Sequence, residues 1–407
     1  MEHLPYFCIA AHRKVGGSFY TEGSDVARDE VRTSVREERP EFQSPGLPRR
    51  SQRVGKSWRS LASCLASRAM RVLIVRLGAF GDIIHTLPLA ADLHRAGHSI
   101  GWVCEDRWAC VVQDNPAIDQ VHQLPRKMLR QAPLVQRWLI LRRLMRDVRA
   151  CDYDVVIDAQ GLAKSALIAA TSGARHRIGH ARPRSREGAW LVADRRVPVV
   201  AEHVIDQQRA LGLPILHGKT MGGWEFPLPE WSTQREWAIA WLKSQGLDPQ
   251  GGARVLMLNV GAGWPTKVWP QERQIAFAQL CAERGLPLML AWGSPAEHDL
   301  ARAIVAASPA TRMAPPTTIP QLAGLIAQAG VLVSGDTGPL HLGLALGVPA
   351  VGLFGPVPAT RNGPRGRGYR TLQAPGAAWE RKDVTRVNMG ALSAEAVLEQ
   401  ALAIRLH

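Results

Sequence analysis

From Met70 onward, short apolar runs alternate with longer segments in which apolar residues recur every three or four positions. The first example is MRVLIVRLGAFGDIIHTLPLAADLHRAG at residues 70–97, which contains an apolar run, a glycine-containing turn and an amphipathic segment. A short apolar run predicts a buried strand, and the three-to-four periodicity predicts a helix. The repeated alternation therefore predicts an α/β protein with parallel sheets.

The alternation falls into two series, separated by a stretch rich in proline and glycine at residues 213–231. Such a stretch is typical of a linker between domains or of the rim of a cleft. We predict a first domain at residues 70–230 and a second at 231–390, each with a parallel sheet, facing one central cleft. Residues 391–407 are predicted to form a terminal helix, with Ser393 as its N-cap.

Residues 1–69 show neither the two-residue alternation of a strand nor the 3.6-residue periodicity of a helix. They mix charged residues with serine, proline and glycine. A segment of this composition buries too little apolar surface to offset the entropy of ordering its chain. Two interpretations stay open. The segment is either a disordered extension or the result of a start assigned upstream of the true one, Met70, where the first predicted strand begins.

The charge balance favours an anionic partner. The chain carries 50 Lys and Arg residues against 35 Asp and Glu residues, a formal net charge of +15. Nucleic acid, a phosphorylated substrate or an acidic membrane surface would each suit this surplus. A GC-rich genome, which favours arginine codons, would produce the same surplus, so charge alone does not choose a function.

Several features are missing from the sequence. No apolar run reaches the ~18 residues of a membrane-spanning helix, and we expect no secretory signal because the first residues lack its basic start and apolar stretch. The six cysteines form no C-x-x-C pair, which predicts reduced thiols in a cytosolic protein. No His, Cys and Asp cluster has metal-ligand spacing, so we predict no metal and no other cofactor.

The first candidate site is the loop Gly78-Ala-Phe-Gly81-Asp82, between the first predicted strand and helix. Its glycines allow a ligand to approach the backbone, and the free N–H groups of a helix start favour an anion. The spacing is not the G-x-G-x-x-G dinucleotide motif. Asp82 has two compatible interpretations: an N-cap, or an ionised carboxylate that accepts a proton.

Two further loops resemble the first in position. Residues 259–270, NVGAGWPTKVWP, place Lys267 in a glycine-rich loop, where it would neutralise a phosphate unless it is an ordinary surface lysine. Residues 334–341, SGDTGPLH, place Asp336 after a strand and Pro339 in the first turn of a helix, whose amides would face a diphosphate. His341 is either part of this site or a core or capping histidine.

Taken together, these loops resemble the family 9 glycosyltransferases, the lipopolysaccharide heptosyltransferases of Gram-negative bacteria. The matching motifs follow in order: RVLIVRLGAFGDIIHTLP, VVIDAQGLAKSALIA, the pair Arg186-Glu187, the W-G-x-x-x-E from Trp292 to Glu297, and DTGPLH. The HTLP ending of the first motif is most similar to heptosyltransferase I. The resemblance covers about residues 70–390. Arg76 departs from it, since a lysine is frequent there in heptosyltransferase I.

The resemblance implies a GT-B fold, which is two Rossmann-like domains with the active site between them. It implies an inverting, metal-independent enzyme that moves L-glycero-D-manno-heptose from ADP-heptose to a Kdo sugar of lipid A. The first domain would hold the acceptor and the second the donor. Such an enzyme would be cytoplasmic and peripheral on the inner membrane, where Arg126, Lys127, Arg130 and the following helix would meet anionic headgroups unless they form an ordinary solvated face.

The resemblance also implies a role for each site residue. Asp82 would be the catalytic base that deprotonates the Kdo hydroxyl, Lys267 would stabilise the departing diphosphate, and Glu297 would bind the ribose hydroxyls. The remaining positions are Thr266, Asp336, Thr337, Gly338, Leu340 and His341 around the donor, and Gly81, Arg126, Arg130, Lys164 and Arg186 around the acceptor.

Three other functions compete with this interpretation. The nearest is another family 9 transferase that adds a second heptose or a different sugar. A NAD-dependent oxidoreductase is disfavoured by the missing dinucleotide motif. An RNA-binding protein is suggested only by the net charge, and no RNA-recognition signature accompanies it, so we expect no nucleic acid partner.

Overall fold

The structure is a computed structural model, and it describes residues 69–218, 222–248, 255–376 and 379–404. The two interpretations of residues 1–69 concern a segment that lies, except for its last residue, outside the described residues. Every strand from β1 to β12 belongs to one of two six-stranded parallel sheets. The prediction of an α/β protein with two parallel sheets is confirmed.

The first sheet has the strand order β3-β2-β1-β4-β5-β6. Its strands are β1 (Arg71–Val75), β2 (Ser99–Glu105), β3 (Gln120–Leu124), β4 (Val155–Asp158), β5 (His176–His180) and β6 (Arg195–Val197). The α-helices along this part of the chain are α1 (Phe80–Ile84), α2 (Leu87–Arg95), α3 (Ala109–Val112), α4 (Arg126–Gln131), α5 (Leu134–Arg149), α6 (Ala163–Thr171) and α7 (Val204–Ala210).

The second sheet repeats this topology with the order β12-β11-β10-β7-β8-β9. Its strands are β7 (Leu256–Asn259), β8 (Leu288–Ala291), β9 (Arg312–Met313), β10 (Val331–Gly335), β11 (Ala350–Phe354) and β12 (Tyr369–Gln373). The α-helices here are α8 (Ser232–Ser244), α9 (Gln271–Glu283), α10 (Pro295–Ala307), α11 (Ile319–Ala327), α12 (Gly338–Ala345), α13 (Ala359–Asn362) and α14 (Ala394–Ala403).

The central strands have the composition that burial on both faces requires. β1 and β10 are buried along almost their whole length, and each consists mainly of Val, Leu and Ile. Such continuous apolar runs are typical of strands that helices cover on both sides. The edge strands β3, β6 and β9 are more polar and partly exposed. Their hydrophobic pattern is therefore too weak to predict them from the sequence.

The terminal helix α14 belongs to the second half. The Ser393 side chain accepts a hydrogen bond from the Ala396 N–H, which confirms the predicted N-cap. Val397 and Leu398 are buried in the same apolar cluster as β7 and β8 residues. The predicted domain boundaries at residues 230, 231 and 390 stay predictions.

The order of the strands determines where a ligand site forms. In each sheet the order in which the chain adds strands reverses between two central parallel strands: β1 and β4 in the first sheet, β7 and β10 in the second. In open parallel sheets, ligands bind beyond the carboxyl ends of the strands at such a point. The three loops singled out in the sequence follow β1, β7 and β10, so all of them lie at these positions.

Candidate active site

The two halves of the molecule meet through α1 and α12. Gly81 faces His341, and a Cβ atom at Gly81 would lie 2.6 Å from the Cδ2 of that ring. A Cβ atom at Gly338 would collide with the Cδ1 of Phe80, whose ring stacks on Trp108. The absence of side chains at these two glycines therefore lets the helices approach closely, and this brings the first candidate loop against the third.

Asp82 occupies the third position of α1, whose N-cap is Ala79. The interpretation of Asp82 as the N-cap residue is therefore wrong, because α1 begins three residues earlier than the sequence suggested. The Asp82 carboxylate still serves the helix start, since its Oδ2 accepts a hydrogen bond from the Ala79 N–H at 3.2 Å. It is 41% exposed, so it keeps access to the cleft.

Arginines keep the Asp82 carboxylate ionised. Burial raises its pKa, but the charges of Arg76 and Arg184 and the Ala79 hydrogen bond outweigh this effect, so the pKa lies below its usual value. The Arg76 Nη2 lies 2.6 Å from the Asp82 Oδ2, and the Arg76 Nη1 donates to the Ala159 carbonyl. The ionised carboxylate is in the form that accepts a proton.

Lys267 and Asp336 form a buried ion pair on the opposite side of the cleft. The Lys267 Nζ lies 2.6 Å from the Asp336 Oδ2, and the His341 Nε2 lies 3.2 Å from the Asp336 Oδ1. The Asn362 side chain donates to the same carboxylate. Burial alone would raise the pKa of Asp336, but His341 and Lys267 lower it well below its usual range. Lys267 also lies 4.4 Å from the centre of the Trp264 ring.

Glu297, which is also predicted to bind the donor, makes its contacts with backbone groups of the neighbouring loops. Glu297 lies against Gly261, and its Oε2 accepts a hydrogen bond from the Gly293 N–H at 2.7 Å. Burial raises the pKa of Glu297, although the backbone N–H groups of Gly293 and Ser294 oppose the shift. Its carboxylate therefore stands at the carboxyl end of β8, beside the glycine-rich loop that follows β7.

Thr266, Thr337 and Leu340 are engaged by the protein itself. The buried Thr266 hydroxyl donates to the Glu380 carbonyl at 2.7 Å, and the Thr337 hydroxyl donates to the Gly335 carbonyl. The Leu340 side chain is fully buried in the apolar core.

Two of the residues predicted to bind the acceptor, Arg126 and Lys164, pair with a carboxylate that the sequence did not reveal. Glu105 ends β2 and is buried. Its Oε2 pairs with Arg107 at 2.8 Å and Arg126 at 2.9 Å, and its Oε1 lies 3.5 Å from Lys164. Three cations from different parts of the chain therefore converge on one buried anion.

Arg186 and Arg130 lie outside this cluster. Both are exposed. The Arg186 N–H donates to the Gly161 carbonyl, and the Glu187 carboxylate accepts from the Ala163 N–H. These bonds hold the Arg186 loop against the start of α6, where Lys164 lies, so the two predicted residues share one edge of the sheet.

Two arginines near Asp82 were also missed. Burial lowers the pKa of Arg184 to about 10, despite the attraction of Asp82. Burial also lowers the pKa of Arg361, against the charges of Asp82 and Asp336, so Arg361 lies within electrostatic range of carboxylates from both halves. Arg184 lies close in sequence to the predicted Arg186. Arg361 lies in α13, after β11, where no motif in the sequence indicated a site.

Several buried polar atoms in this region have no partner among the described residues. They include the Nε atoms of Arg76 and Arg184, both ring nitrogens of His85 and the Nδ1 of His341, and the two histidine rings lie 4.0 Å apart between centres. Buried donors without partners are rare in native proteins and indicate a place for a ligand or ordered water. Within the described ranges, no group of His, Cys, Asp and Glu side chains is arranged to hold a metal ion.

Comparisons with known proteins identify the family of the chain. The profile of glycosyltransferase family 9 (heptosyltransferase) matches residues 141–389. Lipopolysaccharide heptosyltransferase 1 of Pseudomonas aeruginosa is 34% identical over 306 residues, which is 73% of this chain and 82% of that protein.

Solved structures give the same result. Escherichia coli heptosyltransferase WaaC with ADP has a TM-score of 0.67 and 26% identity, covering 83% of this chain and 100% of that one. The same enzyme with ADP-2-deoxy-2-fluoro heptose has a TM-score of 0.64 and 25% identity, covering 81% and 98%. The predicted GT-B fold, with two Rossmann-like domains, is confirmed. The chain belongs to glycosyltransferase family 9, the heptosyltransferase family, and is a glycosyltransferase.

Proposed function

We propose that this enzyme transfers L-glycero-D-manno-heptose from ADP-heptose to a Kdo residue of lipid A, with inversion, during assembly of the lipopolysaccharide inner core. The main support for the proposal is that a candidate base and a candidate cation for the leaving group lie on opposite sides of one cleft. An ionised, partly exposed carboxylate, Asp82, stands on the first half, and the Lys267–Asp336 pair stands on the second.

The reaction needs these groups on opposite sides of the sugar. Asp82 takes the proton from the acceptor hydroxyl, and the oxygen forms a bond to C1 of the heptose. The bond between C1 and the diphosphate oxygen breaks, and ADP leaves with the electron pair. Positive charge spreads over the sugar ring while negative charge grows on the diphosphate, so a cation belongs beside the leaving group.

Lys267 is the cation that we assign to the departing diphosphate. Asp336 and the Trp264 ring hold its ammonium group in place before the donor arrives. The amino-terminal amides of α12, from Gly338 onward, would add donors for the phosphates. We assign Glu297 to the ribose hydroxyls, from which its carboxylate would accept hydrogen bonds. The relative that binds ADP-2-deoxy-2-fluoro heptose supports a nucleotide-heptose donor here.

The acceptor would lie on the first half. A Kdo sugar carries a carboxylate and lipid A carries phosphates, and both suit guanidinium groups. We assign Arg126, Lys164 and Arg186 to this acceptor, together with Arg130 further along α4. The unpartnered Nε atoms of Arg76 and Arg184 offer additional donors beside Asp82. We assign no metal, no cofactor and no nucleic acid to the reaction.

The site of action follows from the acceptor. Lipid A is anchored in a membrane, so we propose that the enzyme is cytoplasmic and peripheral on the inner membrane. In the part of the chain that the structure describes, no helix is both long and apolar enough to cross a bilayer.

One assay tests the proposal. The full chain is incubated with ADP-heptose and Kdo–lipid A, and the acceptor is analysed by mass spectrometry. We expect the acceptor to gain the mass of one heptosyl residue. Transfer only to an acceptor that already bears a heptose would indicate a different family 9 activity. No transfer to either acceptor, with intact ADP binding, would contradict the proposal.

A further inference from the structure

Helices α4 and α5 expose an unusual amount of apolar surface. The exposed side chains, which we call the α4–α5 surface, are Met128 (57%), Leu134 (79%), Val135 (71%), Trp138 (57%), Leu139 (50%) and Leu141 (37%). Only the carboxyl-terminal half of α5 is anchored, through the buried Leu144 and Val148. Contiguous apolar surface of this kind indicates an interaction site.

The same region is strongly basic. Residues 126–149 contain eight Lys and Arg residues and a single acidic residue, Asp147. Along α5 the apolar residues concentrate toward the amino-terminal end and the arginines toward the carboxyl-terminal end. The Arg142 guanidinium lies 5.1 Å from the centre of the Trp138 ring. Exposed Trp and Leu beside Lys and Arg are typical of helices that lie in the interface of a membrane.

The position of this surface connects it to the active site. α4 begins at Arg126, which pairs with Glu105 at the carboxyl end of β2. The Asp82 loop follows the carboxyl end of β1, and β1 and β2 are neighbours. The α4–α5 surface therefore adjoins the acceptor side of the cleft, at the edge where Lys164 also lies.

We propose that the α4–α5 surface docks the enzyme on an anionic lipid bilayer. This inference rests on the proposed function, in which the acceptor is a lipid. Leu134, Val135, Trp138 and Leu139 enter the boundary between headgroups and acyl chains, and the arginines contact lipid phosphates. The membrane-anchored acceptor then reaches the cleft without leaving the bilayer.

Charge favours a bilayer over a second copy of the chain. A symmetric contact between two such surfaces would bring two sets of eight cations face to face. An anionic membrane instead supplies the opposite charge over a wide area, and the attraction weakens as salt screens it.

The experiment measures sedimentation of the full chain with vesicles of phosphatidylethanolamine and phosphatidylglycerol. The test variant is the double substitution Leu134→Ser with Trp138→Ser. The matched control is Val200→Ser with Leu402→Ser, which removes two apolar side chains that are 76% and 41% exposed elsewhere on the molecule. Each protein is also assayed for transfer to a water-soluble Kdo glycoside and for its melting temperature.

We expect the wild type and the control to bind these vesicles, and to bind vesicles of neutral phosphatidylcholine much more weakly. The test variant should lose about tenfold in its partition coefficient, because two anchoring side chains no longer enter the membrane. Its melting temperature and its transfer to the soluble glycoside should stay unchanged, since both side chains are exposed.

Three results would overturn the inference: a wild type that does not bind anionic vesicles, an equal loss in the control, or a dimer in solution that the test variant dissociates. Failure of the proposed function gives a different pattern. Vesicle binding that depends on Leu134 and Trp138, with no transfer to any Kdo acceptor, would retain the docking surface and reject the assigned reaction.

Discussion

Lys267 and Asp336 neutralise each other inside the protein before any substrate is present. Only 12% of the Lys267 side chain and 2% of the Asp336 side chain are exposed. A buried carboxylate requires partners, and Asp336 has Lys267, His341 and Asn362. The pair therefore serves two purposes, since it satisfies a buried charge and holds a cation at the edge of the cleft.

Replacing Lys267 tests the second purpose. Lys267→Ala should lower the transfer rate by about 10²–10³, because the growing charge on the diphosphate loses its cation. The variant should also melt at a lower temperature, because Asp336 keeps only His341 and Asn362 as partners. Lys243→Ala, which removes an exposed lysine of α8, is the control. A rate close to that of the wild type would contradict the role assigned to Lys267.

Buried histidines make stability depend on pH. Burial, with a contribution from Arg365, lowers the pKa of His203 to about 3. Below pH 6.5, His203 takes up a proton in the unfolded chain but stays neutral in the folded protein. The stability contributed by neutral His203 is therefore lost as the pH falls toward 3. The loss is about 1.4 kcal/mol of unfolding free energy per pH unit.

Chemical denaturation at pH 6.5 and pH 5 measures this effect. The unfolding free energy of His203→Asn should fall by about 2 kcal/mol less than that of the wild type over this interval. His94→Asn, which replaces an exposed histidine, is the control. If His203→Asn and the wild type lose the same stability, then protonation of His203 does not oppose folding.

The sequence singled out candidate site residues in the glycine-containing loops that follow apolar strands. Asp82, Lys267 and Asp336 all fit this pattern. It did not single out Glu105 or Arg361, because most of their charged partners lie on other elements of the fold, and no local pattern in the sequence indicates such contacts. Of the two interpretations of Asp82, the N-cap is wrong, because α1 begins at Phe80 rather than after Asp82.

At the scale of elements, two short helices bring the halves of the site together. α1 and α12 touch where Gly81 and Gly338 leave room for His341 and Phe80. The rings of His85 and His341 meet in the same contact, and His341 in turn binds Asp336. A change in the spacing of these helices should therefore reach the donor side of the site.

Gly338→Val tests this contact. The new side chain would push against Phe80, which Trp108 holds from its other face. We expect a cost of about 1–3 kcal/mol in unfolding free energy, which is typical of overpacking, and a reduced transfer rate. Gly223→Ala, where a Cβ atom meets nothing within 4 Å, is the control. Unchanged melting and transfer in Gly338→Val would show that the contact has no structural role.

The elements themselves were predictable to different degrees. β1, β2, β4, β7, β8, β10 and β11 coincide with apolar runs, because helices cover these strands on both faces. β3, β5, β6, β9 and β12 were not foreseen, since they lie toward the edges of the sheets and include polar residues such as His176, Arg195 and Arg312. Their pairing with neighbouring strands, rather than their own composition, makes them strands.

At the scale of the whole molecule, the repeated sheet topology explains why one cleft contains all three candidate loops. Both sheets direct their carboxyl ends toward the contact between α1 and α12. The His203 ring adds a second connection, since its Nε2 lies 3.0 Å from the carbonyl of Gly363 in the second half. The net charge of +15 would attract both proposed substrates, because both are anionic.

The central claim is that Asp82 on the first half deprotonates the acceptor while the second half holds the donor. The most direct test is the rate of heptosyl transfer to Kdo–lipid A by Asp82→Asn, beside calorimetric ADP binding by the same preparation. Asparagine keeps the size of the side chain and an oxygen that accepts the Ala79 N–H, but it does not take up the proton.

We expect Asp82→Asn to bind ADP as the wild type does and to transfer heptose about 10²–10⁴ times more slowly. A folded Asp82→Asn protein that binds ADP and transfers heptose at the wild-type rate would contradict the account.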